Sequence, residues 1–356
     1  MQVKKLTLSS FRNIENIEIF PDSQMNVIYG ENAQGKTNII EALWLFTGAK
    51  SFRGSKEQAF ITFSKEKAKN SIVFDAFGVE SQAEMHFGEK REAFLNGKKL
   101  NNPARLAGNF NAVVFCPDDL ALVKDGPDKR RRFLDIAIGG LYPNYIEILR
   151  SYQRAVLQRN QIIKESRYDG TLTVMLDVFE KEIADAGKKI IKYRSDYLDT
   201  LNKYIPSIYD GLSGGREKIL SVYVANICGN ILEERLKSAR SQDIYSGVTS
   251  VGPHRDDIEF KINGIDARNF GSQGQKRSVA LALKLAQAEV IREISGEYPV
   301  CLLDDVMSEL DTTRQNYILN HIRDWQSFIT CCDPANTKAL EGGKLIEIRE
   351  GKIISN

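Results

Sequence analysis

With 356 residues, 42% of them hydrophobic, the chain is too long for one typical core and has apolar content for two sizeable lobes. Its formal net charge of +2 excludes whole-molecule attraction to nucleic acid, so any such contact must come from local basic patches. No segment approaches membrane-spanning length and the first residues lack the apolar run of a signal peptide, so a cytoplasmic protein without a membrane partner is expected.

The first third alternates β-patterned runs, Val3 to Leu8, Met25 to Tyr29, Ser71 to Phe77, Glu92 to Leu95 and Ala112 to Phe115, with one helix from Lys36 to Phe46. Asn96-Gly97 between Phe94-Leu95 and Lys98-Lys99 predicts a type I′ hairpin. From Tyr142 the period becomes helical. Leu176, Phe179, Ile183, Ala186, Ile190, Tyr193, Tyr197, Leu201 and Tyr204 form a seam of about four heptads, a helix of roughly 40 Å. Tyr145, Leu149, Tyr152, Val156 and Ile163 offer a matching stripe, and Gly170 supplies a turn, which predicts an antiparallel helical arm; an ordinary helical subdomain is the alternative. Strands return at Ile219 to Ala225 and Ile258 to Ile262, followed by a helix from Lys276 to Ile294, a buried strand at Val300 to Leu303 and a final α/β stretch. The expected organisation is an N-terminal α/β lobe at 1–122, a helical insertion at 123–212 and a return to the α/β body at 213–356.

Gly30-Glu31-Asn32-Ala33-Gln34-Gly35-Lys36-Thr37 fits G-x-x-x-x-G-K-[ST], follows an apolar strand and opens a helix, as a phosphate-binding loop requires. Its glycines let backbone N–H groups curl around phosphate, Lys36 is placed to reach the β/γ-phosphates of ATP, and Thr37 to coordinate Mg²⁺. Val300-Cys301-Leu302-Leu303-Asp304-Asp305 has the form of a Walker B strand, with Asp304 assigned to Mg²⁺ and Asp305 to the attacking water. Two segments compete for the signature loop that would close on a partner subunit's nucleotide. Leu212-Ser213-Gly214-Gly215 matches better by letter, but Ser272-Gln273-Gly274-Gln275 opens a helix and can face phosphate, so it is preferred. Ser308-Glu309-Leu310-Asp311 follows as a D-loop, and a catalytic set split between subunits implies an ATP-dependent homodimer.

Five scattered cysteines without a C-x-x-C pair, and only three histidines, exclude a zinc site. Lys129-Arg130-Arg131-Arg132, Arg150, Arg154, Arg159, Lys188, Lys189 and Lys192 could meet DNA phosphate or simply form solvated helix faces. Without zinc-finger, RRM or helix-turn-helix signals, recognition by charge and shape is expected rather than base readout.

These motifs, with Ser10-Phe11-Arg12-Asn13, Asn38, Glu41-Ala42, Phe115-Cys116-Pro117-Asp118-Asp119-Leu120, Arg131-Arg132-Phe133-Leu134-Asp135, Gln158-Arg159-Asn160 and Gly252-Pro253-His254-Arg255-Asp256-Asp257, resemble the RecF family from residue 10 to residue 311. The resemblance implies an α/β ATPase head of ABC/SMC type, with mixed sheets and an inserted helical arm. It implies a weak DNA-stimulated ATPase that dimerises on gapped or single-strand/double-strand junction DNA. It further implies work with RecR and RecO to load RecA, with roles in replication, recombination and the SOS response, and a nucleoid association. Arg12 and Asn13 match positions expected near the nucleotide, and Arg53 resembles a loop that SMC-type heads turn toward DNA. His254 stays open between a structural hinge and a base. ABC ATPases usually carry a histidine after the final core strand, whereas Ser327-Phe328-Ile329-Thr330-Cys331-Cys332-Asp333 has none, a departure the family tolerates, so slow hydrolysis is expected. The rival readings are a transporter nucleotide-binding subunit, disfavoured by about 260 residues between the Walker motifs, and an SMC-type structural head, disfavoured by the short arm.

Overall fold

A computed structural model of the chain describes residues 1–166, 170–333 and 343–355. The contacts divide it into two units, Met1–Asp119 with Gly211–Gly215 and Leu281–Asn356, and Leu120–Asp210 with Arg216–Ala280.

The first unit holds two sheets. One is antiparallel throughout, in the order Ile14–Ile19, Gln2–Phe11, Ala68–Ala76, Val79–Phe87, Glu92–Leu95, Lys98–Lys99. Val3 and Leu6 both face the core despite their odd spacing, because a bulge between Val3 and Lys5 inserts the extra residue that restores the face. Asn96 and Gly97 both take positive φ, 49° and 76°, as the type I′ turn demands.

The other sheet runs Lys352–Ser355, Lys344–Arg349, Met25–Tyr29, Ser327–Cys331, Val300–Asp304, Ala112–Phe115, with every pairing parallel except that of Lys352–Ser355. Its inner strands are continuous apolar runs because both faces are covered. Three neighbouring strands thus deliver their carboxyl ends side by side: Tyr29 into the glycine loop, Cys331, and Asp304. In parallel sheets that edge is where ligands bind.

The second unit is mainly helical, with Pro127–Leu141, Pro143–Glu165 and Leu176–Leu201, and a small antiparallel sheet of Ile219–Val224, Asp257–Ile262 and Ile265–Asp266. The two long helices are antiparallel: Arg194 Nε lies 3.3 Å from Tyr145 Oη near one end, and Arg159 Nη2 lies 3.0 Å from Glu180 Oε1 near the other. This unit reaches beyond the expected 123–212. Residues 216–280 pack with the helices, since Leu232–Ser238 lies on Leu176–Leu201 and strand Asp257–Ile262 on Pro127–Leu141.

Helix formation also begins earlier than Tyr142, and this changes the reading of the basic run. Arg130 falls on the buried stripe with Phe133, Leu134, Ala137 and Ile138, and is 2% exposed. Its guanidinium grips Asp257 with Nε at 2.6 Å and Nη2 at 3.0 Å. Arg130 is therefore not a DNA contact, because a phosphate could reach it only by breaking a buried bidentate pair. The same holds for Arg159, fully buried between Glu180 and Asp243, with Nη1 at 2.6 Å from Asp243 Oδ2. Arg131 donates to the Asp256 carbonyl at 2.7 Å and pairs with Asp128, whereas Arg132, Arg150, Arg154, Lys188 and Lys189 are exposed.

His254 sits between Tyr152 Oη at 2.6 Å and the Thr249 carbonyl at 2.9 Å, and burial holds its imidazole below the ordinary value. A neutral ring bonded at both nitrogens fits the hinge reading.

Arg159→Ala takes the arginine from the buried Asp243 and one of two from the buried Glu180, which keeps Arg240, and should cost about 3–5 kcal/mol, whereas the exposed Arg154→Ala should stay within about 0.5 kcal/mol. Urea unfolding midpoints of the two variants check this.

Candidate functional site

The glycine loop is set by backbone geometry. Gly30 and Gly35 take φ of 146° and 114°, and a Cβ on Gly30 would stand 2.2 Å from the Ile348 carbonyl oxygen, so no other residue fits there. Ala33 also has positive φ, at 65°. The helix Lys36–Leu45 begins directly after Gly35, and its first N–H groups, with no acceptor one turn back, leave the positive end of the helix facing the loop. Lys36 Nζ donates to the carbonyls of Gly30 at 2.6 Å and Glu31 at 2.8 Å, which stretches the ammonium across the loop mouth. Gln34 ties the loop to the last hairpin through the Gly351 N–H at 3.0 Å. Asn13 spans from the Ala33 carbonyl at 3.2 Å to the Asn38 amide at 2.8 Å, and Asn32 Oδ1 lies 3.2 Å from Cys332 Sγ.

On the facing strand end, Asp304 Oδ1 accepts from Thr37 Oγ1 at 2.8 Å and from Thr330 Oγ1 at 3.0 Å. The residue is 6% exposed. Burial raises its carboxyl above the ordinary range, outweighing the lowering by Thr37, Thr330 and Arg53. A hydroxyl and a carboxylate converging on one point are hard oxygen donors that suit Mg²⁺, which takes few protein ligands and completes its shell with phosphate and water. Asp305 has φ of 53°; its N–H donates to Thr330 Oγ1 at 2.9 Å and its Oδ1 accepts from Ser308 Oγ at 3.1 Å, leaving an exposed carboxylate beside the buried one.

The cleft so formed, about 650 Å³, also takes in Arg12 and Arg53. Sequence reasoning missed what holds them. Glu41, fully buried in the loop's helix, accepts from Arg12 Nε at 2.7 Å and Ser51 Oγ at 2.5 Å, with Arg53 Nη1 at 3.8 Å. A glutamate inside the apolar run Ile39 to Leu45 was the available signal, because such a charge survives burial only when paired. Arg53, still exposed, also donates to Asn38 Oδ1 at 3.1 Å, so it lines this cleft as well as standing on the loop expected to turn toward DNA.

Ser272, Gln273, Gly274 and Gln275 lie in the second unit, where the helix starts at Gln273, one turn before the expected Lys276. The reason is a capping box: the Ser272 N–H donates to Gln275 Oε1 at 2.7 Å and the Gln275 N–H to Ser272 Oγ at 3.2 Å. Ser272 is exposed. Gly214 and Gly215, with φ of 70° and 75°, instead end the helix Ile205–Ser213 and lead into a strand, so that segment offers no helix N-terminus.

The profile described as RecF/RecN/SMC N terminal domain matches residues 2–352. The DNA replication and repair protein RecF of Agathobacter rectalis is 40% identical over 334 residues, covering 93% of this chain and 92% of that protein. That of Clostridium acetobutylicum is 40% identical over 338 residues, covering 93% of each. A solved structure of the recombination mediator protein RecF with ATP, in the RecFOR pathway, matches with TM-score 0.92 at 34% identity over 99% of this chain and 96% of that one. The Smc head domain of Pyrococcus furiosus, bound to the C-terminal domain of ScpA, matches with TM-score 0.57 at 17% identity over 100% of this chain and 96% of that one, a likeness of fold alone.

Because Asp304 has a raised folded-state pKa, its ionisation costs stability as pH rises through that value. Asp304→Asn should therefore melt higher than the ligand-free wild type at neutral pH. The gap should close below about pH 4, where the carboxyl is protonated folded and unfolded alike. Thermal melts at the two pH values check the sign.

Proposed function

The chain belongs to the RecF family, within the wider RecF/RecN/SMC group, and on that premise we propose an ATP-dependent DNA-binding protein of recombinational gap repair. The observation that carries the reading is the convergence of Lys36, Thr37 and Asp304 at the carboxyl edge of the parallel sheet.

In this reading the loop N–H groups from Gly30 to Thr37 take the phosphates of ATP, and Lys36 exchanges its carbonyl partners for β/γ-phosphate oxygens. Thr37 and Asp304 hold Mg²⁺, which neutralises phosphate charge. Asp305 orients the attacking water, and Arg12 and Arg53, held beside the loop's helix by Glu41, face the phosphates. Ser272 and its helix N-terminus act on the nucleotide of a second copy, so ATP joins two chains and hydrolysis releases them. Thr330, which stands at the end of the last core strand before the missing histidine position, has its hydroxyl committed to Asp304 and Asp305, which supports slow turnover.

DNA would be met by the exposed charge of the second unit, Arg132, Arg150, Arg154, Lys188 and Lys189, through the backbone of gapped or junction DNA, and binding would fall steeply with salt. RecR, RecO and RecA remain the partners that family membership implies, as do DNA-stimulated hydrolysis, the SOS role and a cytoplasmic, nucleoid-associated location.

Lys36→Ala should weaken ATP binding about a hundred-fold, the worth of the charged hydrogen bonds it removes, as read by calorimetry. In gel filtration with light scattering, Asp305→Asn should accumulate an ATP-dependent dimer, and adding Ser272→Arg should return it to monomer. A monomer in every condition would sink the clamp.

A further inference from the structure

The lining of the cleft includes a side chain that nothing above explains. Phe63 is 95% exposed, yet it lines the cleft together with Ala59 and Ile61. Apart from Ala33 in the loop itself, the remainder of the lining is polar, charged or glycine. The same cleft thus holds a phosphate-binding loop and an exposed apolar ring.

The backbone there is fixed. The Arg12 N–H donates to the Phe60 carbonyl at 2.8 Å, the Thr62 N–H to the Ser10 carbonyl at 2.8 Å, and Phe11 and Ile61 form a bridge between those two bonds. Phe60 stacks on Phe11 with centroids 5.7 Å apart and meets Phe87 edge-on at 5.2 Å. The Lys65 N–H closes a turn on the Thr62 carbonyl at 3.0 Å, with Ser64 at φ 70°. Phe60 is thus spent on the core, while Phe63, three residues on, is held out by a pinned strand end and a tight turn.

We propose that Phe63, backed by Ile61, is the stacking platform for the nucleobase of the bound nucleotide. The inference rests on the reading of the cleft as a nucleoside triphosphate site. A base is the one planar, weakly polar part of such a ligand, and aromatic faces hold bases by stacking without reading their edges. Thr62 supports the same conclusion: its N–H, carbonyl and hydroxyl are engaged with Ser10, Lys65 and Ile14, so none of these groups is spare for an edge contact. Phe63 therefore contributes affinity and base position, with little choice between purines.

The test is calorimetric titration of wild type, Phe63→Ala and Phe63→Trp with ATP, GTP and inorganic tripolyphosphate. Phe63→Ala should weaken ATP and GTP alike, by roughly 5- to 100-fold, and leave tripolyphosphate unchanged. Phe63→Trp should restore ATP binding, and its added fluorescence should respond to ATP but not to tripolyphosphate. Because the ring is exposed, neither substitution should shift the melting temperature. Unchanged ATP affinity in Phe63→Ala, or an equal loss of tripolyphosphate, overturns the proposal. A wild type that binds tripolyphosphate but gains nothing from the nucleoside overturns the platform alone, while one that binds neither ATP nor tripolyphosphate overturns the reading of the cleft as well.

Discussion

A buried carboxylate sets the terms for the rest of the site. Asp304 ends a core strand at 6% exposure, and among the described residues its compensation comes from two threonine hydroxyls and a nearby arginine, which do not offset burial. The sheet order makes this arrangement possible. Ser327–Cys331 lies between Met25–Tyr29 and Val300–Asp304, with Thr330 in register with both Ile28 and Asp304. One middle threonine therefore steadies Asp304 and the Asp305 backbone together, while Thr37 arrives from the loop on the far side. The uncompensated charge is a standing cost to the ligand-free fold, and a cation bound there repays it by mass action on the folded state.

The second unit solves the converse problem, cations placed in a core. Arg130, Arg159 and Arg194 occupy stripe positions of their helices, with carboxylates from Asp257, Glu180, Asp243 and Asp135 meeting them. These partners lie apart in sequence, so the pairs tie helices to one another and to the strand Asp257–Ile262, elements that apolar packing alone would let slide. Buried pairs of this kind add little net stability when complete and cost much when broken, which makes them specifiers of one arrangement.

How much was legible follows from which signals are local. The glycine loop, the Asn96-Gly97 turn, the strand ending in Asp304 and the long seam from Leu176 were readable because each encodes its geometry within a few residues. Strand Val79–Phe87 was not, since its first half is polar on both faces, and Ile14–Ile19 breaks strict alternation at Asn16. The basic run Lys129 to Arg132 misled because charge was read before periodicity: Arg130 stands three and four residues before Phe133 and Leu134, on the apolar stripe. Glu41 stood out as a charge in an apolar run, but its partners were not legible, since Arg12, Ser51 and Arg53 are gathered by the tertiary fold.

That gathering also bears on how the cleft divides its labour. The end of the strand Ser327–Cys331 offers Thr330, already bonded to the acidic pair, and Cys332, whose thiol lies 4.0 Å from Lys36 Nζ and is a weak hydrogen-bonding group. Strong positive charge comes instead from beside the loop's helix, where one glutamate holds Arg12 directly and steadies Arg53. Guanidiniums fixed in this way are pre-organised for phosphate whether or not it has been cleaved, because they need not move a proton. On the proposed reading, such a cleft favours holding nucleotide over turning it over, which suits a protein whose nucleotide state times its residence on DNA.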